Sequence, residues 1–311
     1  MDYIRETTDI RITEPTVVSL GKFDGLHEGH KLLVEAMLKK KKEGLAPVMF
    51  TFDIPPKAIL NGQNPKVLTT NAEKEYIFAR TGIDYLIEYP FTDQVRSMEP
   101  EAFVRMLTKQ LHVKCIVAGT DFRFGHNRTG NYQTLRALGP SCGFETVVVE
   151  KKQYENRDIS STFIREEIQE AHIERANLLL GYEFFVLGKV LHGRRLGRKL
   201  GIPTVNLIPP EEKLLPPFGV YVSRVLLDGR LYGGITNVGR KPTIEGENPI
   251  GVETHIFDCD GDFYGKEILV QFLTYLRPER KFDSIEDLKA EMTRNIAQGR
   301  TYLETYGRRG L

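Results

Sequence analysis

Up to about residue 180, short apolar runs alternate with stretches of helical period. TVVSL (16–20) precedes HKLLVEAMLKKKKEG (30–44), and APVMFTF (46–52) precedes AEKEYIFARTG (72–82). IDYLIEY (83–89) precedes EPEAFVRMLTKQL (99–111), and KCIVAG (114–119) is separated from ETVVVE (145–150) by NYQTLRALG (131–139). Strands divided by helices in this order predict parallel pairing through crossover helices, an open, doubly wound α/β sheet. Ligands of such sheets bind beyond the carboxyl ends of the strands, and the loop 21–30 lies at that edge. The helix after it is expected to bury Leu32, Leu33, Ala36 and Met37 and to stop near Gly44. Its lysines 39–42 suit a solvated last turn favourable to the helix dipole.

From about Glu183 the period becomes two. FFVLGKVLH (184–192), GVYVSRVLL (219–227), RLYGGITNV (230–238), GVETHIF (251–257) and EILVQFLTYL (267–276) are rich in valine, isoleucine and aromatics, with glycine or proline between them. Only SIEDLKAEMTRNIAQGRTYLETY (284–306) has helical period. This half reads as a small antiparallel β-barrel or sandwich with a C-terminal helix. SSTFIREEIQ (160–169) and IERANLLLGY (173–182) are helical in pattern and bridge the halves, which places the boundary near residue 182, between domains 1–182 and 183–311.

Composition adds limits. A chain of 311 residues exceeds one core, in agreement with two domains. Its net charge of +1 gives no bulk electrostatic case for nucleic acid or an anionic membrane, so an anionic ligand must be held locally. Cys115, Cys142 and Cys259 are far apart and form no zinc or disulfide pattern, which favours reduced thiols in the cytoplasm. The N-terminal MDYIRETTDI has no apolar signal region, and no stretch approaches the ~18 apolar residues of a membrane span. A monomer or weak homo-oligomer is expected.

Candidate chemistry begins in GKFDGLHEGH (21–30). A strand, a glycine loop and a helix N-terminus together direct free N–H groups and the dipole at one place. The loop is not GxxxxGK[ST], so it is no Walker loop. Gly21, Gly25 and Gly29 permit close backbone approach, and His27 and His30 offer N–H donors to phosphate oxygens; metal binding and simple packing remain open from spacing alone. Ser160, Ser161 and Thr162 at a helix start, with Arg165 one turn on, suit either a triphosphate or an ordinary cap with a surface arginine. In Asp121-Phe122-Arg123-Phe124 the two rings read as well as core phenylalanines as they do as a stacking surface.

In the second half, GKVLHGRRLGRKLGIPTVNL (188–207) reads as a basic flap over polyphosphate or as a solvated hairpin. Thr204 and Asn206 share one face of an extended segment, two neutral oxygen ligands for a hard cation such as Mg²⁺. Glu253 and His255 share a face opposite Val252 and Ile256, so Glu253 is either a general base or a solvent-facing carboxylate, and His255 reads as structural.

These segments resemble known families. HEGH within 21–30 looks like the HxGH signature of nucleotidyltransferases, in the form found in FAD synthetases. VAGTDFRFGHNRTG (117–130) resembles that family's GxDFRFGxxRxG block, and ISSTFIR (159–165) its ISSTxIR block. The resemblance implies that an FMN phosphate attacks the α-phosphate of ATP and pyrophosphate leaves. His27 and His30 would stabilise the transition state, and Arg165, Ser161 and Thr162 would hold the other phosphates. Gly21, Phe23, Asp24 and Gly29 would form the nucleotide loop, with Asp24 orienting it, and Asp121, Phe122, Arg123 and Phe124 would meet the flavin.

The later blocks are similar to riboflavin kinase: GxVxHGxxxGRxxGxPTxN at 188–206, GVYV at 219–222, NVGRKPT at 237–243 and VETHIF through LRPERKF. This implies a six-stranded barrel in which Gly188, Gly193, Gly197 and Lys199 contact nucleotide, and Thr204 and Asn206 hold Mg²⁺ and phosphates. Glu253 would deprotonate the ribityl 5′-hydroxyl, and Arg277 would lie near the flavin or the transferred phosphate. The order of blocks is that of the bifunctional prokaryotic riboflavin kinase and FMN adenylyltransferase family, with riboflavin, FMN and ATP as small-molecule substrates. Two positions depart from the pattern. TFDIPP (51–56) stands where TFDPHP is common, and Phe163 where arginine is common. A kinase whose first domain binds nucleotide without adenylyl transfer, and a non-catalytic flavin sensor, are the alternatives.

Overall fold

The computed structural model describes residues 1–53, 66–192, 197, 201–240 and 249–306. The chain divides into two compact units, Met1–Ser161 and Thr162–Leu311.

The first unit holds β1 (Asp2–Arg5), β2 (Thr16–Leu20), β3 (Ala46–Phe52), β4 (Tyr85–Tyr89), β5 (Val113–Gly119) and β8 (Glu145–Val149) in one sheet, order β1-β4-β3-β2-β5-β8. Every pairing in it is parallel. Two short ribbons accompany it, β6 (Arg123–Phe124) with β7 (Gly130–Asn131), and β9 (Gln153–Tyr154) with β10 (Arg157–Asp158). From β2 the chain winds outward through β3 and β4, then returns to β2's other side with β5 and β8. The reversal falls between β2 and β5, and open α/β sheets bind their ligands beyond the carboxyl ends of the strands at such a place.

Among the described residues the unit also holds helices α1 (Glu28–Lys41), α2 (Asn71–Phe78), α3 (Asp93–Arg96), α4 (Pro100–Leu111) and α5 (Tyr132–Cys142), and a short 3-10 turn at His126–Arg128. Alternate strand residues face two separate cores. Val17, Met49, Leu86, Cys115 and Val117 pack with Leu33, Val34 and Met37 of α1 and Phe78 of α2. Val18, Val48, Phe50, Ile87 and Ile116 pack with Phe103, Val104 and Leu107 of α4 and Leu135 of α5. Leu32 and Ala36, expected inside, lie half-buried at the margin of the α1 stripe. Two lysines at the end of α1 are held by acids: Lys40 by Glu43 and Glu145, Lys41 by Asp84.

The second unit takes up α6 (Ser161–Gln169), whose first residue closes the first unit, then α7 (Ile173–Leu180). Strands β11 (Phe185–Lys189), β12 (Val205–Leu207), β13 (Gly219–Leu227), β14 (Arg230–Arg240), β15 (Ile250–Ile256) and β16 (Glu267–Pro278) follow, and α8 (Ile285–Tyr306) ends it. The sheet order β11-β16-β13-β14-β15-β12 is antiparallel throughout. An isolated bridge from Leu191 to Asn206 brings the two edges together, so the sheet is a nearly closed barrel. Its interior includes a chain of buried hydroxyls, Thr236 donating to Ser223 at 2.7 Å and lying 2.8 Å from Thr254. Helix α8 crosses the outer face of β14 at Gly299, where a Cβ would come within 2.6 Å of Ile235.

Helix α7 belongs with the barrel because Asn177 satisfies two of its backbone groups. Asn177 Nδ2 donates to Phe272 O at 2.8 Å, and Asn177 Oδ1 accepts from Phe184 N–H at 2.7 Å. Asn177→Ala leaves both unpaired, and a loss of about 1–3 kcal/mol in the unfolding free energy of the barrel is expected from denaturant titration. Asn177→Asp, which keeps only the acceptor, should fall between the two.

Candidate active sites

The loop after β2 is held by the segment that leads into α2. Asp24 Oδ1 accepts from Leu68 N–H at 2.8 Å and Thr69 N–H at 3.1 Å, and Thr69 Oγ1 accepts from Gly25 N–H at 3.1 Å. Ser161 Oγ donates to Asp24 O at 2.8 Å from the end of the unit. Phe23 takes a left-handed backbone (φ 46°) and is buried, with its ring edge-on to His30 at 5.3 Å.

His27 is the N-cap of α1, and its Nδ1 accepts from His30 N–H at 3.3 Å. The two imidazoles stack at 3.7 Å between centroids, 17° from parallel. Gly29 makes this possible, because a Cβ there would sit 3.2 Å from the His27 ring and 3.5 Å from Ile159 O. Burial pushes the His27 imidazole down to about 2, and the neighbouring His30 adds to the shift. His30 is pushed down to about 4 by burial, partly offset by a hydrogen bond to the Gly25 backbone and by the charge of Asp121. Both rings are therefore neutral at pH 7. Glu28 between them is tied to Lys31 at 2.8 Å and Lys152 at 2.5 Å.

The loop after β5 lies on the other side of the reversal. It brings Asp121 within electrostatic reach of His30, and Asp121 Oδ2 is 3.1 Å from Lys151. Phe124 is buried against Phe103 at 6.0 Å, and the half-buried Phe122 stacks on it at 5.4 Å. Arg123 is exposed, donating to Phe122 O. Thr162 and Arg165 follow on α6 in the second unit.

On the barrel, register pairing sets the second site. Arg277, Val220, Asn237, Glu253 and Asn206 are successive cross-strand partners on β16, β13, β14, β15 and β12. Directly paired residues point to the same face, so all five share one side of the sheet, opposite the buried Val252 and Thr254. Thr204 Oγ1 donates to Glu253 Oε1 at 2.6 Å. His255 Nδ1 lies 2.8 Å from Pro203 O and steadies the segment that carries Thr204. Further along the row, Asn237 Nδ2 donates to Glu279 Oε1 at 3.0 Å, and Arg277 Nε and Nη2 donate to Asn295 Oδ1 at 3.1 and 2.9 Å. A cleft lined by Thr204, Val190, Pro203, Ile256, Phe263 and Tyr264 adjoins it, with the Tyr264 ring 3.7 Å from that of His192.

Gly188 lies in β11, paired with Ile268, and Gly197 O accepts from Ile202 N–H at 2.8 Å. Gly193, Lys199 and the arginines 194, 195 and 198 fall outside the described residues, as do Ile54 and Pro55. Thr204, Asn206 and Glu253 thus meet, and so do His27 and His30, with Asp121 within electrostatic reach of His30. Asn237, Glu291 and Asn295 carry no chemical signal in sequence. Asn237 stands within the NVGRKPT block, but its place beside Glu253 comes from strand pairing.

A family model described as FAD synthetase matches residues 9–163, and one described as riboflavin kinase matches 180–303. The bifunctional riboflavin kinase/FMN adenylyltransferase of Listeria monocytogenes is 33% identical over 96% of this chain and 94% of its own. Its namesakes in Escherichia coli K12 and Bacillus subtilis are each 32% identical, over 93% and 92% of both chains respectively. A solved Streptococcus pneumoniae structure, described as a macrolide-efflux protein, matches with TM-score 0.86 and 32% identity over 96% of this chain and 98% of that one. Among the described residues no helix is long and apolar enough to cross a membrane.

The buried histidines make stability depend on pH. Their folded values lie below the ordinary 6.5, so the unfolded chain binds more protons between pH 6.5 and about 4. Their contribution is complete above pH 6.5 and is lost as pH falls through that window. Thermal melts from pH 7 to pH 5 should show a loss on the order of 1–2 kcal/mol per imidazole. His30→Gln should flatten the profile; an unchanged profile would contradict the burial argument.

Proposed function

Since the chain belongs to the family of bifunctional riboflavin kinase/FMN adenylyltransferases, we propose that it makes FMN from riboflavin in residues 183–311 and FAD from FMN in residues 1–182, using ATP in both steps. The observation that carries the kinase half is the meeting of Thr204, Asn206 and Glu253 on one face of the barrel. Glu253 takes the proton of the ribityl 5′-hydroxyl as that oxygen attacks the γ-phosphate of ATP, and ADP leaves. Thr204 holds the carboxylate through Oε1. Its hydroxyl keeps two lone pairs while donating.

The donor set at this face is all oxygen, which fits Mg²⁺. No group of three His, Cys, Asp or Glu side chains among the described residues would cage a metal, in keeping with a cation shared with nucleotide phosphates. Thr204 and Asn206 would hold it, and it would neutralise phosphate charge. The neighbouring cleft, with Phe263 and Tyr264 in its wall, takes the adenine base. Gly188, Gly193, Gly197 and Lys199 are assigned to its phosphates from the motif.

In the first unit, the FMN phosphate attacks the α-phosphate of ATP, and pyrophosphate leaves. His27 and His30 enter neutral and donate N–H bonds that strengthen as charge develops on the phosphate oxygens. Gly21, Phe23, Asp24 and Gly29 keep the loop in the shape that exposes its amides. Ser161 ties the SST turn to that loop, and Thr162 and Arg165 are assigned to the remaining phosphates from the motif alone. Phe122 offers its face to the flavin, with Phe124 behind it and Asp121 and Arg123 on either side. The substrates and the three free cysteines suit a cytoplasmic enzyme acting as a monomer or weak homo-oligomer.

Incubation with riboflavin, ATP and Mg²⁺, with riboflavin, FMN and FAD resolved chromatographically, tests both halves. The wild type should reach FAD. His30→Ala should stop at FMN, and Glu253→Gln should lose FMN formation by about 100-fold or more. Accumulation of FMN by the wild type would favour a kinase with a nucleotide-binding first domain. Flavin binding without any product would favour a sensor.

A further inference from the structure

The polar row of the barrel does not end at Arg277. Its guanidinium reaches helix α8, where Glu291 is a buried carboxylate surrounded by arginines. Arg277 Nε lies 3.2 Å from Glu291 Oε1, Arg280 Nη2 lies 2.6 Å from Oε2, and Arg294 Nη1 also bonds Oε2. Asn295 Nδ2 donates to Glu291 Oε1 at 3.2 Å, while its Oδ1 accepts from Arg277. Glu291 thus reaches Arg277 twice, directly and through Asn295.

The three guanidiniums are not equivalent. The Arg280 and Arg294 side chains are 51% and 64% exposed, and exposed pairs contribute little to stability. The Arg277 side chain is only 18% exposed, and a partly buried cation without its counter-charge does not keep one geometry. Nε and one edge of its Nη2 face Asn295 and Glu291, and Nη1 donates to Pro278 O at 3.0 Å. Each Nη carries a second N–H, so a held guanidinium still has donors for an anionic oxygen.

We propose that Glu291 is a positioning residue for phosphoryl transfer: with Asn295 it fixes the Arg277 guanidinium on the face that carries Glu253, so that the remaining N–H donors of Arg277 meet the phosphoryl group as it transfers. The assignment rests on the kinase reading above. Arg277 is the group that touches substrate, and Glu291 acts through it. A fixed donor at developing charge affects kcat more than substrate affinity.

The test uses the full chain, with kcat and KM for FMN formation from riboflavin measured for single and double variants. Glu291→Gln should lower kcat about 10-fold with KM for riboflavin changed by less than about 2-fold. In an Arg277→Ala background it should cause no further loss, because its effect passes through Arg277. Asn295→Asp added to Glu291→Gln, which returns a carboxylate to an atom already 2.9 Å from Arg277, should recover most of kcat. FAD formation from supplied FMN should stay at the wild-type rate in each of these variants. If Glu291→Gln does not fold, Glu291→Asp, with its charge drawn back by one methylene, reads the same split.

Additive losses in the double variant, a change confined to KM, or a lowered melting temperature with unchanged kcat would each overturn the proposal. Glu253→Gln is the control for the reading beneath it. If Glu253→Gln is inactive while Arg277→Ala is fully active, the kinase reading stands and only the role of Glu291 falls. If Glu253→Gln retains kcat, both fall.

Discussion

The Asp24 carboxylate is the interaction on which the first site depends. On the proposed reading the loop exposes its amides to an anion and has no side chains to spare for filling its own interior, so it has to be held from outside. Asp24 Oδ1 takes the amides of Leu68 and Thr69, Thr69 returns a hydroxyl to Gly25, and Ser161 binds Asp24 O. This clamp supports a Phe23 backbone in the left-handed region, a conformation that costs on the order of 1–3 kcal/mol and persists only where surroundings over-determine it. The Phe23 ring then meets His30 edge-on, and His30 stacks on His27. The positions of the imidazoles are thus inherited, through Phe23, from a hydrogen-bonded turn.

The second unit reaches precision by another route. Its donors stand on paired strands, and β-pairing fixes their spacing without any loop. Asn237 and Glu253 are direct partners on neighbouring strands, and so are Glu253 and Asn206. A slip of one residue would send all of them to the barrel interior, where Thr236, Val252 and Thr254 are buried. The same packing that makes the barrel stable therefore specifies the site. Helix α8 adds Glu291 and Asn295 from outside, and the close approach at Gly299 keeps that helix against β14.

Much of this was legible in sequence, for identifiable reasons. The change from helical spacing to period two marks a change in what each residue must face, and the parallel sheet and antiparallel barrel follow from it. The reversal between β2 and β5 explains why HEGH and DFRF converge: both loops leave adjacent strands at their carboxyl ends. Thr204 and Asn206 were readable because alternation along one strand puts them on one face. Asn237 was not, because its partner Glu253 is set by pairing between strands rather than by spacing along one. Glu291 and Asn295 were hidden for the same reason: on an amphipathic helix a carboxylate and an amide one turn apart look like solvated surface. The buried stripe of α1 differed at Leu32 and Ala36 because the sheet beneath, rather than the helix alone, decides which side is covered.

The two sites also differ in a way their chemistry requires. An alcohol is a poor nucleophile until a base takes its proton, and on the proposed reading that base is Glu253, held by Thr204 on the face that carries the other donors. A phosphate is already ionised at pH 7 and asks for no base. What it needs is an environment that tolerates two anions meeting. In the first unit the nearby carboxylates are engaged: Asp24 Oδ1 with backbone amides, Asp121 with Lys151, and Glu28 with Lys31 and Lys152. The groups left at the centre are neutral imidazoles, which donate hydrogen bonds without presenting negative charge. Burial keeps them neutral, and on the proposed reading their response to charge is reserved for the oxygens of the reacting phosphates. On the proposed reading, a carboxylate placed on the donor face of the barrel and neutral donors among paired carboxylates in the other unit are what an alcohol nucleophile and a phosphate nucleophile respectively demand.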